Sequence, residues 1–354
     1  MSISLCIITK NNQNTIKKCI DSVRSIVDEM VVADTGSTDK TIEIAESLGA
    51  KVYSFEWNNS FSDAKNFCIS HATKEYILAL DADETIAEKD LERLKFLEKE
   101  KDFLGFSFIQ RNYKNCIGFF SSVSCTNDEY EESKVASCFI PRRIVRFFKN
   151  TPKIRFQGVV HDSVEPSINK IGKILETTIP IHHFGMLSRD SERTKMYIEM
   201  EKMNLKGDYF QDYQIAIQLH SIGNIPEALQ FLEKSINRNP NFHLSWLELG
   251  IILIKLNKIK EAEKVLKRAE SLGTHEMIFS HLGIVYGILQ NFNLSISYFE
   301  KSLSINPKNP DVYFNLALTY IQSEDKEKAK DNLKKALYLN PMYREKVESL
   351  LSKL

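Results

Sequence analysis

The sequence predicts two domains: an α/β domain on a mostly parallel, Rossmann-like sheet over residues 1–205, then an all-α domain of helix-hairpin repeats over residues 206–354. Three observations predict this. Up to about residue 90, short apolar runs alternate with amphipathic segments, as strands separated by crossover helices do. Beyond residue 206 the chain repeats itself with a period near 34, which marks a stack of supersecondary units. The polar residues of the first part gather where its apolar runs end, and parallel sheets bind ligands beyond the carboxyl ends of their strands.

The first part reads in order. Ser4–Thr9 is a short apolar strand, and Thr15–Val27 carries Ile16, Cys19, Ile20 and Val23 at helical spacing. Glu29–Ala33 is a second strand that runs into Asp34-Thr35-Gly36-Ser37-Thr38-Asp39. Thr38–Leu48 is a helix with Ile42, Ala45 and Leu48 inward, Lys51–Phe55 a third strand, Asp63–Ala72 a helix, and Glu75–Leu80 a fourth strand ending at Asp81-Ala82-Asp83. Turn chemistry is the competing explanation for the polar strand ends: Gly36 suits a turn, and Ser37 or Asp39 suits a helix cap. For Asp39 the cap is the favoured role; for Asp34, Asp81 and Asp83 it is function.

In the second part, Ala228, Ala262, Ser295 and Ala329 recur at steps of 34, 33 and 34, and so do Ala216, Gly250, Gly283 and Ala317. Two antiparallel helices approach closely only where small side chains sit at the crossing. Pro240, Pro307 and Pro341 close three repeats, with Gly273 in the remaining one; proline ends a helix and turns the chain. The pattern resembles tetratricopeptide repeats over about residues 207–342, four in number, with a capping helix from Pro341 to Leu354. Such a stack implies a concave face for a peptide or protein; a rigid spacer or a dimerisation surface is the alternative.

Composition narrows the function. Of 354 residues, 47 are Lys or Arg and 47 are Asp or Glu, so no net field points to nucleic acid. No apolar run reaches the roughly 18 residues of a membrane span, and Ile3–Thr9 lacks the flanks of a signal peptide. The six cysteines, Cys6, Cys19, Cys68, Cys116, Cys125 and Cys138, show no CxxC spacing and are expected to be reduced thiols of a cytoplasmic protein.

Asp81-Ala82-Asp83 offers two carboxylates at a strand end, hard oxygen ligands for Mg²⁺ or Mn²⁺ shared with a diphosphate. A DxD alone is a common chance match; its place after the fourth strand is what gives it weight. With Ile7–Asn11, Val31–Asp39, Phe61–Asn66 and Leu80–Glu84, in that order, residues 2–90 resemble the nucleotide-binding half of family 2 glycosyltransferases of the GT-A fold. The resemblance implies a nucleotide-sugar donor, commonly UDP-linked, and inversion at the anomeric carbon. It places Thr9 and Asn11 along the nucleoside, Asp34 at the uracil, Lys65 at the diphosphate or ribose, Asp81 at ribose or sugar hydroxyls, and Asp83 on the metal. The chain departs from the family in having Asn12 where Glu is usual and Lys65 where Arg is usual, which loses a planar two-pronged donor.

Further on, Pro141–Lys149, Ile154–Asp162 and Ile179–Met186 resemble the R-x-F, F-x-G-x-V-H-E and H-x-G segments of family 2 enzymes that carry tetratricopeptide repeats. That group includes enzymes acting on bacteriocin peptides at cysteine and on protein acceptors. Inverting transfer needs one general base. Asp162 is the first candidate, Glu165 the second, and a structural loop carboxylate the alternative. His161 would line the site or hold Asp162. His183 would join Asp83 on the metal or serve as a structural histidine, while His182 packs or faces solvent. Arg146 would reach the diphosphate or anchor the sheet. Residues 111–140 read either as a loop that closes over the donor or as a plain insertion.

The function these readings imply is metal-dependent transfer of a sugar to a peptide or protein held by the repeats, with a homodimer possible through the stack. A glycan or lipid-linked acceptor, and an inactive repeat scaffold, are the rival readings.

Overall fold

The computed structural model describes residues 2–115, 122–160, 162–187, 191–205 and 207–354. By internal contacts the chain forms two units: Met1–Tyr113 with Pro141–Ser188, and Lys114–Ile140 with Arg189–Leu354. The sequence placed a single boundary at 205/206. In the structure, helix α6 (Ser191–Met203) lends Ile198 to a core with Ile215, Ala216 and Leu219 of the first repeat, and the chain divides before it.

The first unit begins β1 (Ile3–Thr9), α1 (Ile16–Val23), β2 (Glu29–Asp34), α2 (Thr41–Ser47), β3 (Lys51–Ser54), α3 (Phe61–Ser70) and β4 (Tyr76–Asp81). It continues through β5 (Glu84–Thr85), α4 (Glu88–Phe96) and β6 (Phe103–Lys114). After β7 (Val123–Ser124), which belongs to the second unit, come β8 (Cys138–Lys149), α5 (Glu165–Ile168) and β9 (Lys173–His183). The sheet runs β3-β2-β1-β4-β8-β6-β9-β5, with β7 beside β8. β3, β2, β1 and β4 are mutually parallel, as are β6 and β9; β8 is antiparallel to β4, and β5 to β9.

Burial on both faces explains why β1 is apolar but for Ser4, which donates to Glu29, and the terminal Thr9. Ile3, Leu5 and Ile7 join Ile16, Cys19, Ile20 and Val23 of α1 on one face. Cys6 faces the other way, with Cys68 and Ile69 of α3. A central strand covered on both faces has no polar side. The helix expected from Thr38 starts at Thr41, with Lys40 and not Asp39 at its N-cap; Asp39, one residue earlier, accepts from the Thr41 and Gln13 amides.

In the second unit the repeats are α7 (Tyr209–Ser221) with α8 (Ile225–Arg238), α9 (His243–Lys255) with α10 (Ile259–Leu272), α11 (Glu276–Ile288) with α12 (Phe292–Ile305), and α13 (Pro310–Gln322) with α14 (Lys326–Leu339). α15 (Arg344–Leu351) ends the stack, its Val347 packed with Ala317 and Leu333. The small residues sit at the crossings: a Cβ on Gly250 would lie 2.6 Å from Leu266, and one on Gly283 2.7 Å from Phe299. Each hairpin turns through one residue of positive φ, namely Gly223, Asn257, Gln290 and Glu324. Residues 122–127 lie on the later repeats: Asn306 Nδ2 donates to the Ser122 carbonyl at 3.1 Å, Thr126 Oγ1 donates to the Leu339 carbonyl at 3.0 Å, and Asn127 Nδ2 donates to Tyr338 Oη at 2.6 Å.

Candidate active site

Register brings three strand ends together. Thr9 of β1 pairs with Asp34 of β2, and Ile8 with Asp81 of β4. Thr9 is buried, its carbonyl accepting from Thr35 N at 2.9 Å and its hydroxyl donating to Asn12. Asn11 has a left-handed backbone (φ 54°); its N–H donates to Ser37 Oγ and its side-chain carbonyl accepts from Thr38 N at 2.8 Å. That residue ties the first two loops together. Asp34 is 3% exposed. Its Oδ2 accepts from the Gly36 and Ser37 amides, each at 2.9 Å, while Oδ1 is buried with no hydrogen-bond partner among the described residues. An unmatched buried acceptor costs on the order of 1–3 kcal/mol, so it marks a place where an N–H donor fits.

A buried charge network lies beside it. Lys65 of α3 sits 3.1 Å from Asp81 and 2.9 Å from Asp162. Arg146 of β8 donates to Asp81 at 2.6 Å and to Glu84 at 3.1 Å. Glu84 is fully buried; its second oxygen accepts from Asp81 N at 2.9 Å, and Gln110 also donates to it. Burial alone would raise the Asp81 carboxyl, but Arg146 and Lys65 outweigh it and hold Asp81 well below the usual carboxylate range. Burial would likewise discharge Lys65, but the charges of Asp162 and Asp81 raise its pKa instead. Arg146 therefore anchors the Asp81 turn through two carboxylates.

Asp83 and His183 face each other across the end of the sheet, with His183 Nε2 3.5 Å from Asp83 Oδ1. β5 brings them close: Glu84 pairs with His183, and Phe184 N donates to the Asp83 carbonyl. His183 Nδ1 lies 2.7 Å from Asn112 Oδ1. A carbonyl oxygen only accepts, so Nδ1 carries a proton and Nε2 faces Asp83; burial would lower the imidazole's pKa, but the Asp83 carboxylate raises it, and a cation bound there would take the place of a proton on Nε2. Gly185 keeps this space open: a Cβ there would stand 2.3 Å from Asp83 Oδ2 and 2.7 Å from His183 Nε2. His182 packs rather than facing solvent, its Nδ1 2.6 Å from Tyr113 Oη, and burial lowers its pKa to about 3.

Among the described residues no three His, Cys, Asp or Glu gather as a metal cluster. Two protein ligands still suit a cation that takes its other oxygens from water and substrate phosphates. The four carboxylates of Asp81, Asp83, Glu84 and Asp162 outnumber the lysine and arginine paired with them, Lys65 and Arg146, and the nearby carboxylates also raise the pKa of His183 against its burial.

Asp162 is mostly buried and paired with Lys65. Glu165 is an anchor, accepting from Val145 N at 3.0 Å and from Ser163. His161 lies outside the described residues. Sequence reading assigned no role to Glu84, Asn112 or Gly185. Glu84 was legible in part, since an acid directly after DxD must turn inward if Asp83 turns out. Asn112 is visible only through its register with His183.

Comparison with known proteins gives the family. Residues 4–122 match the model of glycosyl transferase family 2, and residues 213–345 that of the Psidin N-terminal TPR repeats region. An uncharacterized glycosyltransferase of Rickettsia typhi is 38% identical over 228 residues, 61% of this chain and 73% of that protein. The chain belongs to glycosyltransferase family 2. The SPbeta prophage-derived glycosyltransferase SunS of Bacillus subtilis is 25% identical over 254 residues, 68% of this chain and 55% of SunS. A TPR repeat-containing protein of Synechococcus elongatus is 28% identical over 251 residues, 67% of this chain and 57% of that protein. The chain thus spans a little over half the length of these last two relatives. Among the described residues no helix is long and apolar enough to cross a membrane.

Proposed function

We propose that this glycosyltransferase moves a sugar from a UDP-linked donor to a side chain of a peptide or protein in the cytoplasm, with inversion and with help from Mn²⁺ or Mg²⁺. The observation that carries the reading is a buried acceptor, Asp34 Oδ1, with no hydrogen-bond partner among the described residues, at the same end of the strands as Asp83 and His183, whose Oδ1 and Nε2 lie 3.5 Å apart.

Each residue then has a task. Asp34 Oδ1 accepts from the imide N–H of the uracil. Thr9 and Asn11 shape the nucleoside wall through the first two loops. Asp81, kept ionised by Arg146 and Lys65, accepts from donor hydroxyls, and Lys65 stands beside the diphosphate. Asp83 and His183 hold the divalent ion, which supplies positive charge against that of the departing nucleoside diphosphate. The acceptor heteroatom forms its bond to the anomeric carbon from the opposite face as the carbon–oxygen bond to the diphosphate breaks. The diphosphate leaves with the bonding electrons, and the Asp162 carboxylate takes the acceptor's proton. The repeats hold the acceptor chain.

The test is UDP release from a panel of UDP-sugars with Mn²⁺, Mg²⁺ or EDTA. Metal-dependent release with one preferred sugar is expected, and Asp83→Ala abolishes it with the fold intact. Full activity in Asp83→Ala refutes the metal assignment. Absence of both release and UDP binding by calorimetry favours the scaffold reading.

A further inference from the structure

Asp162 follows a segment, residues 156–160, whose position has an identifiable source. After β8 the chain runs through Phe156 to Ser163, closed by a two-way backbone pairing of Gln157 with Ser163 at 2.8 and 2.9 Å. Gly158 in this loop has φ +103°. One face of α3 is bonded to it at successive points. Asn66 Nδ2 donates to the Phe156 carbonyl at 3.0 Å, and Phe156 N donates to Asn66 Oδ1 at 2.9 Å. One turn earlier, Ser62 Oγ donates to the Gly158 carbonyl, and Phe61 N donates to the Val159 carbonyl at 2.9 Å. Between those points Lys65 lies over the Phe156 ring at 5.2 Å and pairs with Asp162.

An amide that satisfies both the donor and the acceptor of one residue fixes that residue's backbone in register, as a strand partner would. The loop's other backbone pairing is internal; Phe156 also packs against Phe148, and Glu165 ties Ser163 to Val145 of β8, while the bonds from α3 join the loop to the helix that carries Lys65. The same helix carries Lys65, which touches Asp81 and Asp162 at once.

We propose that Asn66, seconded by Ser62, is a positioning residue: it holds the Phe156–Ser163 loop so that Asp162 stands at Lys65. Its catalytic consequence rests on the reading of Asp162 as the base; the structural part does not. An ångström of misplacement at a reacting group costs as much as about a hundredfold in rate.

The experiment uses the full chain and three readouts. In Asn66→Ala, amide hydrogen exchange in peptides containing Phe156–Val159 should speed up at least about tenfold, since removing both bonds frees the local backbone. Exchange in β4 should be unchanged, UDP affinity by calorimetry should stay within about twofold, and the kcat of sugar transfer should fall about ten- to a hundredfold. Ser62→Ala, which removes one bond, should move the same readouts less and secures the test if Asn66→Ala folds poorly. Unchanged exchange at Phe156–Val159 would overturn the proposal. So would faster exchange with unchanged kcat, or a loss of UDP binding as large as the loss of kcat. If the wild-type protein turns over no UDP-sugar, the transferase reading fails instead, and the exchange readout still decides whether Asn66 sets the loop.

Discussion

Replacing Gly185 by alanine tests the cation site at its most constrained point. The added methyl would sit 2.3 Å from Asp83 Oδ2 and 2.7 Å from His183 Nε2. Ordinary carbon contacts lie near about 3.5 Å, so one or both ligand atoms must move by roughly an ångström. Gly185 is absent from the residues with positive φ, so alanine strains no backbone there, and the clash falls on the ends of two side chains. The expected result is a fold that melts within a few degrees of wild type and a site that has lost its ligand geometry. Loss of ligand orientation costs about 10–100-fold in metal affinity, and misplacement at the reacting centre about a hundredfold in rate. Titrating Mn²⁺ by electron paramagnetic resonance in the presence of UDP measures the first, and Mn²⁺-dependent UDP release the second. If Gly185→Ala binds Mn²⁺ as wild type does and keeps its metal-dependent turnover, Asp83 and His183 are not the ligands.

Two predictions concern the repeats. Glu276 is buried at the start of α11; burial raises its carboxyl to about 7 against a partial offset from Asn306, and its Oε2 has no hydrogen-bond partner among the described residues. A folded-state pKa above the unfolded 4.5 means the folded chain prefers the protonated acid, so stability is highest below 4.5 and falls as pH rises towards 7. After allowance for solvent near the carboxyl the loss is about 2 kcal/mol. Urea denaturation at pH 5 and pH 8 should show Glu276→Gln more stable than wild type only at the higher pH; equal pH dependence in the two would refute this. Glu324 turns its hairpin at φ 65°, where the first repeat uses Gly223. Left-handed backbone costs a side chain about 1–2 kcal/mol and glycine's added entropy returns about 0.5–1 of it. Glu324→Gly should therefore stabilise by about 0.5–1 kcal/mol, read as a higher urea midpoint, and a lower midpoint would contradict the account.

Much of the fold was legible because it rests on periodicity. The repeats announce themselves because every helix crossing demands a small residue, and Gly250 and Gly283 show the clearance involved. The parallel strands are legible because both faces are covered, so the apolar runs are continuous and stop where the ligand edge begins. Residues 111–140 carried no such period. What places residues 122–127 is a few polar contacts to Asn306, Tyr338 and Leu339, separated from them by about 180–215 residues of chain, and no local pattern encodes a partner so remote.

The site divides along the same line. Asp34, Asp81 and Asp83 stand out in the sequence because they fall at strand ends, the edge where such sheets meet ligands. Their partners could not, because partnership is a matter of register between strands far apart in sequence. Arg146 had two open roles, diphosphate contact or sheet anchor. The structure shows it bonded to Asp81 and Glu84, and the reason is electrostatic. Glu84 is fully buried and holds the Asp81 amide; a carboxylate so placed needs a cation of its own. With Arg146 committed there and Lys65 shared between Asp81 and Asp162, Asp83 is the acid of the group left without a lysine or arginine. It faces instead an imidazole whose other nitrogen is held by Asn112. A half-buried carboxylate 3.5 Å from an imidazole nitrogen is balanced by a proton on that nitrogen or by a metal ion, and a side chain on Gly185 would press on both groups.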